Sequence, residues 1–167
     1  MTKYTPILSY RQLEIPDLDE VMRIENNAFP EVDMQELPES VAAKIKGYPA
    51  GTAGAFAGEI MLGYCIGHPW LSGNPVPLGM TELTLPHDAN IWYMHDVCVI
   101  DTSRGQGIGE ELLKLQKARA IVDGFSMIEA VSVQGAETYW VQQGFTEQGP
   151  GHESYGPGAV KITMPIK

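Results

Sequence analysis

Arg104-Gly105-Gln106-Gly107-Ile108-Gly109 is a glycine-rich turn between two runs of opposite character. Before it, Ile91 to Ile100 reads as a strand; after it, Glu110 to Val122 reads as a helix. That order is a device for holding phosphate. The first turn of a helix leaves backbone N–H groups without intrahelical partners, and the helix dipole makes that end positive. Glycines keep side chains out of the way of a pyrophosphate, and Arg104 adds a fixed charge at the lip. The spacing excludes two common phosphate loops. A dinucleotide fingerprint needs Gly-x-Gly-x-x-Gly with an acidic residue about 20 positions on. A triphosphate loop needs Gly-Lys-Ser/Thr, which is missing here.

The rest of the chain is read outward from this turn. Its 167 residues suffice for one α/β domain over residues 1–167 and are too few for two comfortable ones. No apolar run approaches the roughly 20 residues a membrane span requires. Met1 to Pro6 does not open like a signal peptide, so a cytoplasmic protein is expected. The two cysteines, Cys65 and Cys98, lie in apolar strand-like runs and read as reduced core thiols with no metal-ligand spacing around them. A formal net charge of −10 argues against nucleic acid as partner. It suits a cationic partner such as an amine.

In chain order, Pro6 to Ile15 alternates as a strand. Pro16-Asp17 opens a helix that Pro30 ends, and Pro38 to Lys46 is a second helix. Thr52–Ala57 and Ile60–His68 form a hairpin about Gly58-Glu59. Pro69 to Ala89 is a long loop, of the kind that carries function. After the central strand, turn and helix come a strand (Phe125–Val133), a short helix (Gly135–Gln143) capped by Gly144, and strands at Phe145–Gln148 and Ala159–Ile166. Gly149 to Gly158 reads as a flexible loop.

This order of elements, with Arg104-x-x-Gly107-x-Gly109 after the central strand and Tyr139-Trp140-Val141-Gln142-Gln143-Gly144-Phe145 downstream, resembles the GNAT superfamily of acetyl-CoA-dependent N-acetyltransferases. Gly63 to Trp70 and Tyr93 to Val99 look like its arylalkylamine N-acetyltransferase branch. The resemblance implies a mixed, mostly antiparallel sheet of about seven strands with four flanking helices. It also implies a bulge in the central strand and a splayed gap beside it. The backbone of Val97, Cys98 and Val99 would then pair with the pantetheine arm, and the pyrophosphate would rest on Arg104, Gly105, Gln106, Gly107, Ile108 and Gly109. Trp140 would pack on the coenzyme. The implied co-substrate is acetyl-CoA, with no metal, acting on a small-molecule amine in a monomer or homodimer.

Direct attack on a thioester needs a neutral amine and a donor for the oxyanion. His95 is the base expected, where the branch carries the second of two strand histidines; Tyr93 replaces the first. By simple alternation residues 93, 95, 97 and 99 share one face, which turns Cys98 away from His95 and argues against an acyl-enzyme. The family's proton donor, a Tyr, is replaced by Trp140, whose indole is no proton source. Tyr139 and Tyr155 are the remaining donors. Phe29, Pro30, Trp70 and Tyr93 are expected to line the acceptor pocket, with a carboxylate among Glu25, Glu31, Asp33 and Glu36 for a second ammonium. A peptide N-terminal acetyltransferase and a non-catalytic acyl-CoA-binding module are the competing readings.

Overall fold

Two residue pairs, Trp92 with Ile128 and Tyr93 with Glu129, make the whole parallel contact at the centre of the sheet. They join β4 (Ile91–Val99) to β5 (Met127–Ser132) in the computed structural model, which describes residues 5–31, 35–74 and 76–167. Beyond Tyr93 the two strands part. On the β4 side run β1 (Leu8–Arg11), β2 (Thr52–Ala57) and β3 (Ile60–Trp70), all antiparallel. On the β5 side lie β7 (Val160–Pro165) and the edge strand β6 (Thr146–Pro150). The seven-stranded order is β1-β2-β3-β4-β5-β7-β6, and every pairing except β4–β5 is antiparallel.

Helices cover both faces. α1 (Leu18–Ala28) and α2 (Pro38–Gly47) place Val21, Ile24, Val41 and Ile45 against Met61, Tyr64, Ile66 and Cys98. α3 (Ile108–Val122) packs Ile108 and Leu112 on Ala53, Ala55 and Cys65, which point to the opposite face of the sheet. Leu113 and Ala120 continue that layer over Trp92, Met94 and Ile128. α4 (Glu137–Gln142) leans Trp140 on Phe145 with ring centroids 5.5 Å apart. A buried polar clamp locks α3 to the sheet. Gln116 accepts from the Trp92 indole at 2.9 Å and donates to the Gly51 carbonyl at 2.9 Å.

Several boundaries differ from the sequence reading for local reasons. β1 stops at Arg11, because Asp17 folds back to accept from the Glu14 N–H in a 3-10 turn over Ile15–Asp17, and α1 starts only at Leu18. β3 runs on through Pro69 and Trp70, which pair with Trp92 and Ile91, so the long connection begins at Leu71. α3 starts two residues early, at Ile108, because Gly107 is its left-handed N-cap with φ +83°. The segment from Gly149 to Gly158, expected as a flexible loop, is anchored: the Gly151 N–H donates to the Ala159 carbonyl at 2.8 Å and Tyr155 is buried.

The register between β3 and β4 slips once. Ile66 pairs with Asp96 but Gly67 pairs with Met94, so His95 is an extra residue and β4 bulges there. The slip breaks the alternation on which residues 93, 95, 97 and 99 were placed together. Val97 and Val99 face α3, with Ile108 and Leu112. His95, Asp96 and Cys98 all turn toward the α1–α2 face.

Candidate active site

A cleft of about 510 Å³ opens where β4 leaves β5. Its floor is β4 from Met94 to Val99, one wall is the glycine turn with the start of α3, and another carries Tyr139 and Trp140. The cleft has a chemically distinct region at each end.

At the turn, Gly105 and Gly107 have φ of +76° and +83°, backbone that a side chain would strain. The first bond closing α3 is from the Glu111 N–H to the Gly107 carbonyl. The N–H groups of Ile108, Gly109 and Glu110 therefore have no partner within the helix. Arg104 stands beside them, 2.8 Å from Asp101, its Nε donating to the Val99 carbonyl at 3.3 Å. The Tyr139 hydroxyl overhangs the same turn, 3.2 Å from where a Cβ on Gly109 would stand. These groups fit an anionic pyrophosphate. Ile108 itself is a core side chain and offers only its backbone; Gln106 is exposed and reaches toward the Thr102 carbonyl.

Backbone direction along β4 follows from one bond. The Ile100 N–H donates to the Leu62 carbonyl of β3 at 2.9 Å. Alternation then aims the backbone groups of Cys98 at β3 as well, and those of Val97 and Val99 into the gap. Of the three residues expected to pair with a pantetheine arm, Val97 and Val99 present N–H and C=O groups there. Cys98 contributes only its side chain, facing α1.

The other end of the cleft is polar and buried. His95 Nε2 lies 2.8 Å from Glu36 Oε1 and 3.8 Å from Asp96 Oδ2, and the His95 side chain is 1% exposed. Glu36 also takes Lys44 Nζ at 3.3 Å and the Gly79 N–H at 3.0 Å. Burial works against its charge, but the His95 hydrogen bond, Lys44 and Gly79 pull its carboxyl down to about 2. Burial, and then Lys44, hold His95 down to about 4 against the pull of Glu36. At neutral pH this is a carboxylate gripping the Nε2–H of a neutral imidazole, whose buried Nδ1 has no partner among the described residues.

Beside them Glu25 accepts from the Tyr64 hydroxyl at 2.7 Å and from the Glu36 N–H at 3.0 Å. The same hydroxyl lies 3.4 Å from Asp96. Burial, then Glu25 and Glu36, push Asp96 well above the usual carboxylate range. Burial also raises Glu25, in spite of its two donors. Burial, Asp96 and Glu25 push the Cys98 thiol well up, which removes it as a nucleophile. The acyl-enzyme is excluded by this protonation and not by facing, because the bulge puts Cys98 and His95 on the same side of the sheet.

The expected acceptor-pocket residues divide. Phe29 is in the cleft; Pro30 is exposed and outside it. Trp70 donates its indole N–H to the Asn74 carbonyl, and Tyr93 packs in a small core with Val76 and Ile91, so neither lines the cleft. β3 carries Trp70 away as strand, and the bulge separates Tyr93 from the open part of β4. Tyr155 does line the cleft, but its hydroxyl donates to the Val76 carbonyl at 2.8 Å, and burial and Tyr93 push its phenol far above the ordinary value. Glu25 and Glu36 are in the site; Glu31 is exposed, and Asp33 lies outside the described residues. Asp96, Tyr64 and Lys44 were not anticipated. An acidic residue next to a histidine in an otherwise apolar strand was the available signal for Asp96.

Comparison with known proteins bears on the same elements. No curated protein matches the chain. Three solved structures share the fold at low identity. The loading GNATL domain of CurA from Lyngbya majuscula has a TM-score of 0.79 at 13% identity, covering 96% of this chain and 98% of that one. Ard1 from Thermoplasma volcanium has 0.76 at 12%, covering 96% and 98%. PaiA N-acetyltransferase from Thermoplasma acidophilum, solved with coenzyme A, has 0.71 at 12%, covering 96% and 99%. The family model for Acetyltransferase (GNAT) matches residues 18–145, from the first residue of α1 through β4, the glycine turn and α4 to Phe145. With its bulged β4, splayed sheet and phosphate-ready turn inside that match, the chain belongs to the GNAT family of acetyl-CoA-dependent acetyltransferases.

Proposed function

We propose that this protein transfers the acetyl group of acetyl-CoA directly to the primary amine of a small alkyl- or arylalkylamine. The observation that carries the reading is the parting of β4 from β5 after Tyr93, next to the free N–H groups of α3. Backbone groups of Val97 and Val99 on β4 and the N–H groups of Ile108, Gly109 and Glu110 at the start of α3 then border one cleft.

Acetyl-CoA supplies an acyl group activated as a thioester. The residues of this chain do the rest. Ile108, Gly109, Glu110 and Arg104 hold the pyrophosphate. Val97 and Val99 hold the pantetheine as an extra strand, and a Val97 N–H aimed into the gap stabilises charge on the acyl oxygen. Trp140 packs on the coenzyme, and the Tyr139 hydroxyl overhangs the turn. A thiol leaving group with a pKa near about 8.5 needs no strong acid, so Trp140 in place of a Tyr does not stop the reaction. The neutral, buried imidazole of His95 orients Glu36 and shapes the acceptor end.

A small acceptor is favoured over an extended peptide by the roof of that end. The connection from Leu71 to Asn90 is tied down at four points: Ser72 to Glu129, Gly79 to Glu36, Leu78 to Ser154 and Val76 to Tyr155. Thiol release from acetyl-CoA against a panel of alkylamines, arylalkylamines and short peptides tests the proposal. Turnover confined to small amines is expected. Turnover with peptides alone would overturn the acceptor class; coenzyme A binding without turnover on any amine would overturn the enzyme reading.

A further inference from the structure

We propose that Glu25 and Asp96, bridged by the Tyr64 hydroxyl, form the seat of the acceptor's ammonium group, and that Asp96 takes its proton. The inference rests on the amine-transfer reading and names the group that makes the amine reactive.

The bulge is the origin of the site. An extra residue at His95 puts two successive side chains, His95 and Asp96, on one face of β4. Of the two, Asp96 is the one with an opening, at 11% side-chain exposure against 1% for His95. Carboxylate oxygens of Glu25 and Asp96 and the Cys98 sulfur lie within 4.8 Å of one another, a spacing that one small cation can bridge. The wall beside them is a histidine whose Nδ1 is buried and, among the described residues, unpartnered, a second polar group built into the same end of the cleft.

Charge accounting favours a cation as occupant. Facing Asp96 are Glu25 from α1, Glu36 from the connection to α2, Lys44 from α2, Tyr64 from β3, and His95 and Cys98 from β4 itself. Lys44 is committed to Glu36, and His95 is neutral. Among the described residues, Glu25 and Asp96 are left to share one region with no cation of their own, and two carboxyls so placed favour holding a proton between them. An arriving alkylammonium supplies the missing charge and displaces the shared proton. A carboxyl held above its usual range is also better matched to an amine's proton than an ordinary one.

The step balances simply. The ammonium N–H bond breaks and its proton passes to Asp96. The freed lone pair forms the new C–N bond as the thioester C–S bond breaks. The nitrogen's second N–H bond breaks as the amide forms and that proton passes through solvent to the leaving thiolate, giving coenzyme A, while Asp96 sheds the first proton to solvent. The substrate class follows: primary amines that arrive as cations and carry no carboxylate beside the nitrogen, since a carboxylate there would face Glu25, Glu36 and Asp96 together.

Pentylamine and norleucine, which differ by one α-carboxylate, test this with three proteins: wild type, Asp96→Asn and Glu25→Gln. Calorimetry of pentylamine binding to the coenzyme A complex, in buffers of different ionisation heat, should show proton release by wild type and none by Asp96→Asn. Turnover of pentylamine by Asp96→Asn should fall by about 10²-fold or more in kcat/KM, with coenzyme A affinity unchanged and activity recovering as pH rises. Norleucine should be neither bound nor acetylated. Undiminished turnover of pentylamine by Asp96→Asn, or loss of the acid limb of the pH profile in His95→Gln instead, would overturn the assignment while leaving amine transfer intact. Failure of the wild-type complex to bind or acetylate any amine would overturn both together.

Discussion

Replacing His95 with Gln should flatten the acid side of the protein's stability curve. An unfolded histidine takes its proton near about 6.5. Folded His95 is held neutral down to about 4 by burial and by Lys44. Between those values the unfolded chain binds more protons than the folded one, so falling pH favours unfolding. The stability owed to the neutral imidazole is complete above about 6.5 and is lost as pH falls toward 4. A gap of about 2.5 units at 1.36 kcal/mol each gives about 3 kcal/mol. No discount for solvent applies, because the side chain is 1% exposed. Gln keeps a donor for Glu36 and does not titrate. Glu36 protonates mainly below this window, being held down to about 2. The other buried groups belong to both proteins: His68, pushed down to about 3 by burial, has the same sign, and Asp96 and Glu25, pushed up, have the opposite one. They largely cancel in the difference between wild type and variant. Urea unfolding from pH 7 to pH 4 measures it: the advantage of wild type should shrink by about 3 kcal/mol across that range. Parallel curves would mean that the imidazole titrates normally in the fold. An advantage that grows toward acid would mean an imidazolium–Glu36 ion pair. Either result refutes the neutral-imidazole account.

Three further outcomes follow from the geometry. Gly67→Ala should lose about 1–3 kcal/mol, read as a lower urea midpoint, because its Cβ would meet Gln116 Oε1 at 2.0 Å and the Trp92 indole nitrogen at 2.5 Å. Gln116→Leu should cost about 1–3 kcal/mol for each of the two groups it strands, the Trp92 N–H and the Gly51 carbonyl, with an unchanged Michaelis constant for acetyl-CoA as the control. Cys98→Ala should acetylate amines at the wild-type order of rate, and mass spectrometry of wild type under acetyl-CoA should find no acetyl adduct at Cys98, since its thiol is held protonated.

The parts of the molecule that were legible in the sequence are those whose cause is local. A glycine turn with a helix after it was readable because positive-φ backbone needs glycine and a helix start leaves N–H groups free. The order of strands and helices was readable because each element has its own period. The bulge was expected from the resemblance alone; its position and its effect were not readable. One unpaired residue at His95 leaves no mark in an apolar run, yet it reverses the facing of every later residue of β4. The acceptor-site errors share that origin: Tyr93 was placed beside the opening, and Cys98 away from His95. Trp70, expected in the acceptor pocket on a loop starting at Pro69, lies outside it because the strand runs on through Pro69 to Trp70. Among four acidic candidates, sequence had no means to choose Glu36, whose partners are Lys44 on the helix that follows it and, from distant segments, Gly79 and His95.

The two-pair junction between β4 and β5 also has a mechanical meaning. It leaves the sheet as two panels, β1 to β4 and β5 to β7, sewn together over a single short seam and braced by the side chains around Trp92, Leu113 and Ile128. If the coenzyme lies in the gap, as proposed above, it completes the stitching, and part of its binding energy is spent making one cooperative unit of the two panels. Heat resistance of this protein should then depend on coenzyme concentration. Amide exchange should slow on both sides of the seam when coenzyme A is added, including in β5.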